Sequence, residues 1–255
     1  MPVLLTAFLW AVAAHAAPTC RTSSAALTRP LVELYTSEGC SSCPPADRWL
    51  AAYFDAAGTR SPAVALAFHV DYWDRLGWVD RFADAAYTER QYGAMRANGA
   101  SFVYTPQVLL QGHDLAGWGA GTAAIEAAAR QPARATVTLE AEPAAREVVA
   151  RVDATVADAA LARDARLFVA YADSGLASDV KAGENRGARL AHDHVVRALR
   201  RVGAPAEGGR LRATIALPVP REAGTHPTLV AFVQRATTGD VLQTVALPLD
   251  RCALP

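Results

Sequence analysis

Lysine is nearly missing from this chain: Lys181 is the only one among 25 basic side chains in 255 residues, and 25 acidic side chains cancel the charge. With no excess of either sign and no basic patch, the chain lacks the electrostatic footprint of a nucleic-acid binder. It also lacks the polar, highly charged composition of a disordered protein, since 52% of it is hydrophobic and 20% charged, so a packed globule follows. Four cysteines are too few for a disulfide scaffold. Internal repeats and low-complexity linkers are absent, and beyond the first residues no stretch is long and apolar enough to span a bilayer, which takes roughly 20 residues.

What is present begins with a compartment signal. Val3 to Ala14 is apolar and uncharged, and Ala14-His15-Ala16 offers the small-x-small pattern of a signal-peptidase site, which predicts a signal peptide over 1–16. A secreted, periplasmic protein is the expectation, in a compartment where disulfides persist. The rest divides by pattern. Residues 29–131 alternate strand-like and helix-like segments: strands at 31–36, 63–69 and 107–110, helices at 45–57, 80–98 and 122–130. From 133 to 250 short period-two stretches recur, as in Thr136-Val137-Thr138-Leu139, and predict an all-β, sandwich-like domain.

The chemistry concentrates in Gly39-Cys40-Ser41-Ser42-Cys43-Pro44-Pro45. A cysteine between a strand and a helix meets free amides and the positive end of the helix dipole, which favour thiolate over thiol. Cys40 is thus the candidate nucleophile. Cys43, three residues on, can attack a mixed disulfide formed on Cys40 and release the substrate. A zinc site would need two more ligands, and neither a second C-x-x-C nor an H-x-x-x-H exists here. The competing account is a static structural disulfide. Cys20 and Cys252 lie near opposite ends of the mature chain, outside this motif, and termini of compact proteins are often close, so these two are expected to pair. Thr105-Pro106 directly precedes a strand, and a proline there marks an edge or a bend, of which a cis bond is one form.

Leu34-Tyr35-Thr36 followed by Gly39-Cys40, and Thr105-Pro106 before a strand, resemble the thioredoxin superfamily. The longer signatures TSEGCSSCPPAD from Thr36, HVDYWD from His69 and VYTPQ from Val103 resemble a bacterial secreted family with a thioredoxin-like fold, catalogued as a domain of unknown function. That likeness continues through Gly183-Glu184-Asn185 and His192-Asp193-His194. It implies an α/β, thioredoxin-like domain followed by an all-β, sandwich-like C-terminal domain. It also implies that Thr105 and Pro106 form the ledge that holds a substrate polypeptide. By the same likeness Glu33 stands where a buried carboxylate would take the proton of Cys43, although a solvent-facing strand Glu fits the residue too.

His69 to Asp74 follows the second strand, and the carboxyl ends of parallel strands form a ligand edge, so His69, Asp71, Trp73 and Asp74 are candidates to line the site. The plain alternative makes the tryptophan core and the acids helix caps. His192 and His194 share a face if their segment is a strand, and Gly183 to Gly187 reads as a turn. The reading that results is a thiol–disulfide oxidoreductase acting on protein thiols or disulfides through Cys40 and Cys43, with no cofactor, no resident metal and no membrane span. Its alternatives are a Cu(I)-binding protein using Cys40, Cys43 and His69 or His113, since soft thiolates suit Cu(I), and an interaction module with a structural disulfide.

Overall fold

The computed structural model describes residues 20–54, 61–144, 146–202, 207–250 and 252; the expected signal segment 1–16 lies outside them. In chain order come β1 (Cys20–Ser23), β2 (Leu31–Thr36), α1 (Pro44–Tyr53), β3 (Val64–His69), α2 (Ala85–Ala97), β4 (Gln107–Leu110), β5 (His113–Asp114) and α3 (Thr122–Ala129). Then follow β6 (Thr136–Ala144), β7 (Glu147–Thr155), α4 (Ala159–Ala162), β8 (Ala165–Asp173), β9 (Leu176–Asp179) and β10 (Arg189–His192). The last are β11 (Val195–Val202), β12 (Arg210–Pro218), β13 (Thr228–Arg235) and β14 (Val241–Pro248).

Three sheets result. An eight-stranded mixed sheet runs β14-β13-β8-β11-β3-β2-β4-β5, a four-stranded antiparallel sheet runs β1-β6-β7-β12, and β9 and β10 pair alone. β2 and β3 are parallel in register from Leu31↔Val64 to Thr36↔His69, and β4 runs antiparallel to β2. At the seam, β11 joins β3 through Val195↔Ala67, backed by the Ala67 amide on the His194 carbonyl at 2.8 Å.

This topology overturns the expectation of a thioredoxin-like α/β domain followed by an all-β sandwich. The described residues are 42% strand and 20% helix, and the large sheet draws on both halves of the chain. The reason is legible in burial. β7 alternates between covered and open faces and β12 largely does so, as one-sided sandwich strands must, but every residue from Leu229 to Val233 and from Val241 to Val245 is buried. Strands covered on both faces belong inside a larger sheet. One face of β8 and β13 packs through Leu167, Val169, Leu229 and Ala231 onto the four-stranded sheet, while Ala170, Val230 and Phe232 on the other face join Leu66, Phe68 and Tyr87 of α2. α1 and α3 cover the remaining surface, Leu50, Phe54 and Ile125 packing on Val32, Leu34 and Ala65.

Local chemistry sets the ends of the elements near the site. Pro44 and Pro45 open α1, where a fixed φ suits the first turn. α2 starts at Ala85, five residues later than its pattern suggests, because Asp84 is the cap and accepts from the Ala86 amide at 2.8 Å. No helix among the described residues is long and apolar enough to cross a membrane.

Cys20 on β1 and Cys252 beyond β14 are bonded, with Cα atoms 5.4 Å apart and a sequence separation of 232. β1 is an edge strand of only four residues paired with β6, and this bond adds a covalent tie to the other end of the described chain. A Cys20→Ala/Cys252→Ala protein is expected to lose about 2–4 kcal/mol of unfolding free energy, chiefly through a freer unfolded chain. Urea unfolding checks this; a midpoint unchanged from the parent protein overturns it.

Candidate functional site

β2 delivers its last residue, Thr36, fully buried, and the next seven residues carry the dithiol motif into α1. Cys40 and Cys43 are bonded with Cα atoms 5.4 Å apart, and the Cys43 amide donates to the Cys40 carbonyl at 3.2 Å. Cys43 is the cap of α1 and Cys40 lies before the helix. The helix start offers fewer free amides than the motif suggests: Pro44 and Pro45 have none, and the Ala46 and Asp47 amides both go to the Cys43 carbonyl. The Ser42 hydroxyl at 3.3 Å is the polar group beside the Cys40 sulfur.

Both cysteines have 0% exposed surface although Ser41 and Ser42 between them are open to solvent. Trp73 packs against the loop at Gly39, its Cβ standing 3.2 Å from where a side chain there would begin. The Trp73 indole donates to Thr105 Oγ1 at 2.8 Å, which ties this contact to the Thr105-Pro106 ledge, whose peptide bond is cis. α2 steadies the ledge from behind, because buried Gln91 donates to the Tyr104 carbonyl and to Gln107 Oε1, each at 2.8 Å. Phe102 and Tyr104 stand exposed beside it, Phe102 at 67%.

The loop is also held from far along the chain. Asn185 Nδ2 donates to the carbonyls of Glu38 at 2.9 Å and Cys40 at 3.0 Å, and the Glu184 carboxylate accepts from the Ser41 amide at 3.0 Å. That amide holds Glu184 below the usual carboxylate range. The segment read from sequence as a turn is thus a clamp on the dithiol loop.

Beneath the loop lies a buried ionisable cluster. His69 Nδ1 meets Asp80 Oδ2 at 2.7 Å, and Asp80 also accepts from the amides of Glu38 at 2.8 Å and Phe82 at 2.9 Å. Glu38 accepts from the Trp78 indole at 2.7 Å, and its other oxygen stands 3.2 Å from His192 Nε2, out of line for a good hydrogen bond. The rings of His69 and His192 meet edge to face at 5.1 Å, with Phe82 against both. Burial opposes charge on His69, but Asp80, Asp47 and Glu38 outweigh it and hold the imidazole above its usual range. Burial likewise opposes charge on Asp80 and is overcome by His69, which leaves Asp80 below the ordinary carboxylate range. Asp47, one turn into α1 and bonded to the Thr36 hydroxyl at 3.2 Å, is raised by burial.

Of the sequence candidates, His69, Trp73, Thr105 and Pro106 lie around the dithiol loop, directly or through Trp73. Asp74 binds the Asp80 amide at 3.1 Å and braces the cluster, while Asp71 turns to Thr88 of α2 at 2.6 Å. Glu33 is directed away. Alternation along β2 sends Val32 and Leu34 toward α1 and Tyr35 to the opposite face, where Glu33 pairs with Arg90 at 2.6 Å. His113 is bound to Asn98 and Asp240, and His194 stands against Phe54 rather than beside His192. Among the described residues no group of three or more His, Cys, Asp or Glu is arranged to hold a metal. Glu38, Asp47, Asp80 and the Glu184-Asn185 clamp were not singled out as site residues from sequence. Glu38 and Asp47 lie inside the TSEGCSSCPPAD signature, which was the available clue; Asp80 carried none.

A family model described as "Protein of unknown function (DUF1223)" matches residues 31–234. The fold is similar to that of a protein from Agrobacterium tumefaciens solved by X-ray crystallography. The two are 27% identical with a TM-score of 0.59, over 91% of this chain and 99% of that one. It is also similar to HBP35 of Porphyromonas gingivalis, at 15% identity and a TM-score of 0.65 over 91% of this chain and 79% of that one, a likeness of fold alone. No curated protein matches the chain.

Proposed function

The chain belongs to this family of unknown function, and from its own site we propose that it is a secreted thiol–disulfide oxidoreductase acting on proteins, with Cys40 attacking and Cys43 resolving. The observation that carries this reading is the closed Cys40–Cys43 pair at the start of α1, set over buried acids and imidazoles. A purely structural disulfide spanning three positions needs no such surroundings. In the reduced protein the Cys40 thiolate attacks one sulfur of a substrate disulfide, forming a Cys40–substrate bond and expelling the other substrate sulfur as thiolate. Cys43 then gives up its proton, with Asp47 as the buried acceptor one turn along α1, and attacks the Cys40 sulfur. The Cys40–Cys43 bond forms, the mixed disulfide breaks and the second substrate thiolate leaves. Run backwards, the same two steps oxidise a substrate dithiol. Thr105 and Pro106, flanked by Phe102 and Tyr104, carry the substrate segment. A secreted location agrees with two disulfides in one chain.

Glu184 supplies a test. Its carboxylate occupies the Ser41 amide next to the reacting cysteine, so it opposes negative charge on Cys40. In the reduced protein Cys40 is expected to alkylate faster than Cys43. In Glu184→Gln the Cys40 titration should move to lower pH, with iodoacetamide modification near pH 7 about two- to tenfold faster and the gain shrinking as salt is added. Peptide mapping of the alkylated protein reads both. Modification of Cys43 first, or of neither cysteine faster than a free thiol, removes the oxidoreductase reading.

A further inference from the structure

Away from the dithiol, α2 stands off from the sheet and leaves a cleft of about 350 Å³ between itself and β8, β11 and β13. Small residues on the helix make the space: Ala86, Gly93, Ala94 and Ala97. Five guanidinium groups line it, Arg90, Arg96, Arg166, Arg201 and Arg235, against the carboxylates of Glu33 and Glu89. Two of the five are neutralised, Arg90 by Glu33 at 2.6 Å and Arg235 by Asp164 at 2.9 Å. Arg96, Arg166 and Arg201 have no ion-pair partner among the described residues, and Glu89 is the one lining acid left to offset them.

The floor of the cleft is built rather than incidental. Arg90 is nine-tenths buried, held by Glu33 and by Gln234 Oε1 at 3.1 Å, and it lies over the rings of Phe68, Phe168 and Phe232 at 5.0–5.3 Å. Beside it the Tyr35 hydroxyl is fully buried against the Glu33 carboxylate and the Arg90 guanidinium.

We propose that this cleft binds a small anion bearing two or more carboxylate or phosphate groups. Guanidinium forks match both oxyanions in shape and charge, and the volume is that of a small-ligand site. The site is independent of the dithiol and of the function proposed for it.

Titration calorimetry of the intact protein at low salt, with inorganic pyrophosphate in one arm and citrate in the other, tests the idea. One site is expected, and the arm with the greater affinity tells phosphate from carboxylate. Arg166→Glu/Arg201→Glu should weaken binding at least tenfold. Arg201→Ala, which removes an exposed side chain and spares the fold, should weaken it about threefold or more. Arg210→Glu, on the four-stranded sheet, changes net charge without touching the cleft and should bind as the parent does. If neither probe titrates, if Arg201→Ala binds unchanged, or if Arg210→Glu loses as much as the cleft variants, the proposal is overturned.

Discussion

A Cys43→Ala protein, reduced and mixed with periplasmic extract, is expected to accumulate as mixed disulfides through Cys40, whereas Cys40→Ala should capture nothing above background. The asymmetry follows from the order of the two sulfurs. Cys40 precedes the helix with the Ser42 hydroxyl beside it, while Cys43 caps α1 and has Pro44-Pro45 behind it. On the proposed mechanism the first starts exchange on an incoming polypeptide and the second ends it by attacking the first. Without Cys43 the intermediate has no internal exit, so its lifetime rises by orders of magnitude, limited by outside thiols. Non-reducing electrophoresis followed by peptide mapping reads the outcome. Equal trapping by the two variants, or none by either, would sink the oxidoreductase assignment and leave a structural disulfide as the better account.

Loss of the Asp80 carboxylate is expected to have the largest effect on stability. Asp80 is 2% exposed and holds His69 together with the amides of Glu38 and Phe82. Asp80→Ala strands three buried donors at once, for which about 3–5 kcal/mol is the scale. The loss should depend on pH in a defined way. His69 is raised in the folded protein, so its contribution is full below its unfolded value of about 6.5 and fades as pH climbs through the folded value. Asp80 is lowered, so its contribution is present above its unfolded value of about 3.9 and fades as pH falls through the folded one. The gap between parent and Asp80→Ala should therefore be widest between about pH 4 and 6.5 and narrow toward pH 9. Urea unfolding at pH 5.5 and 9 measures it; a gap under about 1 kcal/mol, or one that grows with pH, contradicts the role given to this pair. Asp80→Asn, which keeps the shape, should recover part of the loss but flatten the pH dependence.

The strands that carry the site were legible to the residue or nearly so. Leu31–Thr36 and Gln107–Leu110 lie where expected, and Val64–His69 begins one residue later, because short apolar runs bounded by turn residues are strong local signals. The helix-like stretch from Asp80 begins too early as an expectation for α2, because the Asp80 carboxylate is spent on His69 across the loop and Asp84 caps the helix. Glu33 illustrates a different limit: a strand residue's partner depends on which face it presents, and one position along β2 separates α1 from Arg90. The long pairings were invisible for a related reason. Nothing local marks Val195 as the neighbour of Ala67, or Glu184 and Asn185 as neighbours of Ser41 and Cys40, across more than 120 positions. The sandwich expectation failed on the same point: a period-two reading of β13 and β14 implies one open face, and only the assembled sheet shows both their faces covered.

The complete burial of the Cys40–Cys43 bond separates how readily it can be reduced from how fast. With both cysteines lacking exposed surface, a small reductant reaches sulfur only in the fraction of time that the surrounding structure opens. At low reductant the observed rate is then the product of an opening equilibrium and a bimolecular constant. At high reductant it reaches a ceiling, the opening rate itself, and becomes independent of concentration. A partner whose binding itself opens the surrounding structure bypasses that ceiling, so discrimination among thiols would reside in the opening step and not in the reduction potential.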